Sequence, residues 1–122
     1  LAQLVSASAG QFILLQEAGY PSGYLPSPGN GSSVTKQQQF VQNIFSALTA
    51  QTSIRFCSFM QMADYTAAEV ATFESYYGIS HPEFVEYLST LGFVDDTGVA
   101  KAAFQALLTG LAAVISMPSA PG

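Results

Sequence analysis

Two apolar runs, Phe12-Ile-Leu-Leu15 and Ile54-Arg-Phe-Cys-Ser-Phe-Met60, bracket a segment of clean helical periodicity. A strand covered on one face alternates apolar and polar residues. These runs carry apolar residues on both faces, as strands of a sheet buried on both sides require. Between them Val34, Val41, Ile44, Phe45 and Leu48 share one helical face, with Lys36, Gln38, Gln39, Gln42 and Asn43 mostly opposite. Ser32 and Ser33 offer a cap, and Thr35 with Gln38 a capping-box register. The pattern predicts a strand over 11–16, a helix over 33–50 and a strand over 54–60. That order is a βαβ unit, whose crossover is right-handed in nearly all cases.

The remaining segments read as helices and turns. Leu1, Leu4, Val5 and Ala9 sit near helical spacing ahead of Gly10, as in the last turns of a helix over 1–9. Gly19–Gly23 and Pro26–Ser33 are dense in turn formers and predict a long loop after the first strand. Residues 66–91 read as a helical excursion interrupted at Tyr77–Pro82, Asp95–Gly98 as a turn, and 98–115 as a last helix ended by Pro118 and Pro121. The fold class expected is α/β.

A chain of 122 residues supports one folding unit, burying roughly two-thirds of its surface. With 49% hydrophobic and only 9% charged residues, it is far from a disordered composition. Three basic residues against eight acidic ones leave a charge of −5, so no basic stripe exists to neutralise phosphates and nucleic acid is not an expected partner. The single Cys57 cannot form an internal disulfide, and with one His81 there is no zinc spacing. Cys57 reads as a small hydrophobe, His81 as a turn residue, the Asp95-Asp96 pair as a cap for the following helix rather than a calcium site, and Glu83 and Glu86 as a solvated helix face. The stretch Ala102–Met117 falls short of the ~18 to 20 apolar residues of a membrane span, so no membrane partner is expected. Leu1–Ala9 lacks the features of a secretory signal, and the chain is read as a processed product or a fragment.

Glu17 is the position that points to chemistry. It stands at the C-terminal end of the first apolar run, just before the Gly/Pro-rich loop, where α/β proteins gather their active sites. A loop glutamate facing water would occupy the same position equally well. Tyr20 reads as a ring anchoring the loop beside Pro21.

Leu14-Leu-Gln-Glu-Ala-Gly-Tyr-Pro-Ser22, Gly31–Gln42, Ile54–Phe59 and Leu91-Gly-Phe-Val-Asp-Asp-Thr-Gly-Val-Ala-Lys-Ala-Ala-Phe-Gln-Ala-Leu107 together resemble the last quarter of a (β/α)8-barrel (TIM-barrel) glycosidase, closest to the endo-galactanase-like branch of a large clan of retaining glycoside hydrolases. The resemblance implies a C-terminal barrel fragment holding the seventh and eighth strands. Glu17 would be the catalytic nucleophile of a polysaccharide hydrolase that needs no metal or cofactor. Its acid/base glutamate would follow a fourth strand outside this chain; Asp64, Glu69 and Glu74 do not match that position. The isolated chain is therefore expected to be inactive. The aromatic platform common near the end of the eighth strand has no Trp here; Tyr20, Gln61, Asp64 and Tyr65 are the candidate sugar contacts. The resembled family is mostly secreted, implying an extracellular location, and a fragment of this kind would self-associate through exposed strand edges. The alternatives are a non-catalytic α/β or helical interaction module, and an acidic protein using its last helix on lipid or in an oligomer.

Overall fold

The computed structural model describes residues 1–23 and 31–116. In chain order the elements are α1 (Ala2–Ala7), β1 (Ile13–Ala18), α2 (Val34–Ala50), β2 (Ile54–Phe59), α3 (Ala67–Tyr77), α4 (Pro82–Thr90) and α5 (Ala102–Ile115). The two strands pair in parallel, with α2 as the crossover between them. The βαβ unit read from the apolar runs is present, with both strands in place and β1 displaced by two residues from the expected 11–16. Pro118, Pro121 and much of the Pro26–Ser33 loop lie outside the described residues.

α2 starts at the Ser33 cap, whose hydroxyl accepts the Lys36 N–H at 3.1 Å. Thr35 and Gln38 both fall inside the helix, so the capping-box register expected there is not used. A capping box does open α3, where Thr66 and Glu69 satisfy each other's backbone N–H groups. α5 begins at Ala102 rather than at 98. Gly98 closes a turn with φ 87° and the chain then pairs back on itself: the Val99 carbonyl accepts the Asp95 N–H at 2.9 Å, and the Lys101 N–H donates to the Phe93 carbonyl at 2.9 Å. That pairing offers the backbone an alternative to the helix which composition alone does not reveal.

The core lies between the sheet and the α2/α5 pair. Val41 and Phe45 of α2 meet Ala103, Ala106 and Leu107 of α5, with Phe93 closing one end. Phe59 of β2 reaches into this layer, edge-on to Phe93 with ring centroids 5.1 Å apart. Gly110 permits the close approach of the helices, because a Cβ there would fall 2.2 Å from the Phe45 ring. The most buried polar side chain, Gln37, lies on this inner face of α2, whereas Val34 is exposed. Leu14 and Phe56, partners in the strand register, are also exposed, at 61% and 49%.

Candidate functional site

Glu17 occupies a distortion in the sheet. Leu15 pairs with Cys57 and Ala18 with Phe59, so Gln16 and Glu17 together stand opposite the single residue Ser58. This two-against-one register is a β-bulge, a device that bends a strand and re-aims a side chain. Glu17 takes the left-handed conformation, φ 56°, which costs a residue with a Cβ about 1–2 kcal/mol. Its N–H donates to the Ser58 hydroxyl at 3.3 Å, and pairing resumes one residue later, where the Met60 N–H donates to the Ala18 carbonyl at 3.0 Å. The side chain is exposed at the C-terminal end of β1.

Beyond this rim the polar residues knit the loops together. Lys101, the N-cap of α5, places its Nζ 2.6 Å from Asp64 Oδ2 and donates as well to Ser22 Oγ at 3.0 Å and the Thr90 carbonyl at 3.2 Å. Asp64 Oδ1 also accepts the Gly92 N–H at 2.8 Å. Burial pushes the Asp64 carboxyl above its ordinary value, against the opposing pull of Lys101 and the Gly92 N–H. Ser22 and Lys101 have the outline of a nucleophile and base. Yet the Ser22 hydroxyl donates to the Thr90 carbonyl at 2.9 Å, and the Lys101 ammonium is held by a carboxylate. This cluster fastens the Ser22 loop, the segment after α4 and the start of α5 to one another.

Two glutamines do similar work. Gln37 Nε2 donates to the carbonyls of Leu91 and Gly92 at 3.1 and 3.0 Å. Gln61 Nε2 donates to those of Ala63 and Leu88 at 2.6 and 3.2 Å. Their Oε1 atoms are buried without a partner among the described residues, an arrangement that costs about 1–3 kcal/mol for each acceptor left dry.

Of the residues expected to contact sugar, Gln61 and Asp64 are thus engaged inside the fold, and their side chains are not presented at the surface. Tyr20 stacks on Phe40, ring centroids 5.6 Å apart, so the anchoring role read for it is met by an aromatic partner. Tyr65 is half-buried against Phe73 at 4.9 Å. Glu17 is the one member of the set that projects freely. Glu86, expected on a solvated face, is instead buried, accepting from Ser32 Oγ at 2.8 Å and from Thr90 Oγ1 at 3.3 Å. Glu83 is exposed, and its N–H donates to Nδ1 of His81, the N-cap of α4, at 3.4 Å. Cys57 is half-buried, and burial pushes its thiol up, away from the reactive thiolate. Asp95 Oδ1 accepts from the Thr97 hydroxyl and the N–H groups of Thr97 and Val99 within its own turn, so it does not cap α5. Among the described residues no group of three His, Cys, Asp or Glu is placed to hold a metal ion, and no helix is long and apolar enough to cross a membrane.

Gln37, Lys101 and Ser58 were not singled out from sequence. Gln37 had a signal, since it lies one turn before Val41 on the apolar stripe, where a polar residue must find internal partners. Nothing local links Lys101 to Asp64 or Ser58 to Glu17. No protein-family model, curated protein or solved structure matches this chain.

Proposed function

We propose that this chain is part of a retaining glycoside hydrolase of the (β/α)8 type, acting on a polysaccharide, with Glu17 as nucleophile. The observation that carries the reading is the bulge at the end of β1. A glutamate held with φ 56° at the C-terminal end of a parallel strand is a strained residue where such scaffolds do their chemistry. The exposed pair Leu14 and Phe56 gives further support, because in a closed barrel the inward-facing side chains of the other strands pack over such an apolar face.

In this reading the Glu17 carboxylate attacks the anomeric carbon, forming a glycosyl ester while the glycosidic oxygen departs with a proton from a second carboxylic acid. That second group, ~5 to 5.5 Å away in retaining enzymes, then deprotonates the water that cleaves the ester. It comes from outside this chain, so the chain by itself has the nucleophile and lacks the acid.

The test is hydrolysis of aryl glycosides by the 122-residue chain and by a longer polypeptide extended with its upstream coding sequence. The short chain should give no turnover. The longer one should hydrolyse with retention and lose at least about 10³-fold in kcat on Glu17→Gln. Upstream sequence without further strands, or activity indifferent to Glu17→Gln, rejects the proposal and leaves an interaction module as the better description.

A further inference from the structure

We propose that the fold encloses one structural water, held between the side-chain oxygens of Gln37 and Gln61. This hydration site is independent of the glycosidase reading.

Three observations meet there. The first is the pair of orphan acceptors: Gln37 is 2% exposed and Gln61 8%, and Oε1 of each is buried with no partner among the described residues. The second is that neither amide can turn over. Each Nε2 donates to two backbone carbonyls, so exchanging nitrogen and oxygen would set Oε1 against two other acceptors and forfeit four hydrogen bonds in all. The orientation that orphans both oxygens is the one the surroundings enforce.

The third is space of the right size and chemistry. Gln37 and Gln61 line the same small pocket, with room of about 10 Å³ for a water, close to the ~10–15 Å³ that one water needs. A water has two O–H donors, and the two glutamines that line the pocket each carry one unanswered acceptor. A cation of similar size would face only two neutral oxygens, too few to replace its hydration shell.

The position gives the water a task. Ala18, Gly19 and Tyr20, which directly follow Glu17, form another part of the wall. The water therefore ties α2 to the connection after β2, beneath the segment leaving the bulge.

The test is a high-resolution crystal structure of the 122-residue chain, together with water-to-protein cross-relaxation in solution. One ordered water is expected within ~2.7–3.2 Å of both Oε1 atoms, with a long-lived cross-peak to the side-chain amide protons of Gln37 and Gln61. Gln61→Met should abolish both signals, whereas Gln39→Met, at an exposed position of α2, should leave them intact. No ordered water in the unsubstituted protein overturns the proposal. So does a water that persists in a folded Gln61→Met variant. Should that variant fail to fold, the unsubstituted protein decides the matter alone.

Discussion

Lys101 and Asp64 meet at 2.6 Å with their side chains only 12% and 8% exposed, which makes the pair a stitch between the start of α5 and the connection after β2. Lys101 is also the N-cap of α5, where the helix dipole presents its positive end. A cation is unfavourable there, and Asp64 is what makes the position tenable.

Lys101→Met should destabilise the chain by about 3–5 kcal/mol, because it strands a buried carboxylate. The loss should also depend on pH. Burial already raises Asp64 above 3.8, and removing the ammonium raises it further. A group whose folded value exceeds its unfolded one binds more protons when folded, so stability falls as pH rises through that window. Urea midpoints at mildly acidic and neutral pH should therefore separate more in Lys101→Met than in the unsubstituted chain. An equal pH response in both would refute this account.

Gly110→Ala isolates the helix contact. A Cβ there would lie 2.2 Å from two carbons of the Phe45 ring. Glycine to alanine ordinarily stabilises a helix interior by about 1 kcal/mol; here overpacking should reverse the sign, with a net loss of about 1–2 kcal/mol. Thermal denaturation reads it. Gly92→Ala should cost more, since its Cβ would fall 2.4 Å from the Ala63 carbonyl carbon and the Asp64 nitrogen, backbone atoms that cannot rotate aside.

Glu17→Gly should stabilise the chain by up to about 1 kcal/mol, relieving a left-handed φ at a residue with a Cβ. Glu17→Val, branched at Cβ, should do the opposite. A destabilised glycine variant in urea titration would mean that the side chain makes a contact worth more than the strain.

Asp95 sets the pH response of the turn before α5. Hydrogen bonds from the Thr97 hydroxyl and the Val99 N–H hold its carboxyl below 3.8. A depressed value contributes stability that is present above the unfolded pKa and lost as pH falls through the folded one. The gap in urea midpoint between the unsubstituted chain and Asp95→Ala should narrow on acidification from neutral pH into that range.

What the sequence made legible was local. The apolar runs located both strands, and the stripe through Val41, Ile44 and Phe45 located the crossover helix, since periodicity and burial are properties of neighbouring residues. α5 starts later than its composition suggests because Val99 and Lys101 pair back onto Asp95 and Phe93 across the Asp95–Gly98 turn, and helical spacing does not show which backbone groups such a turn joins. The same holds for the rim. Glu17 could be found from its place after a strand, but its bulge depends on Ser58, 41 residues away. Asp64 and Gln61 looked available because a polar side chain after a strand reads alike whether it faces solvent or a buried partner.

The open sheet bears on handling at the bench. Among the described residues β1 and β2 pair only with each other, and Leu14 and Phe56 stand side by side in solvent. Unsatisfied backbone groups beside bare hydrocarbon recruit strands from other molecules. Recombinant material is therefore expected to associate more as it is concentrated, and more in sulfate or phosphate, which strengthen contacts between oily surfaces, than in a mild detergent; size-exclusion chromatography over a dilution series checks this.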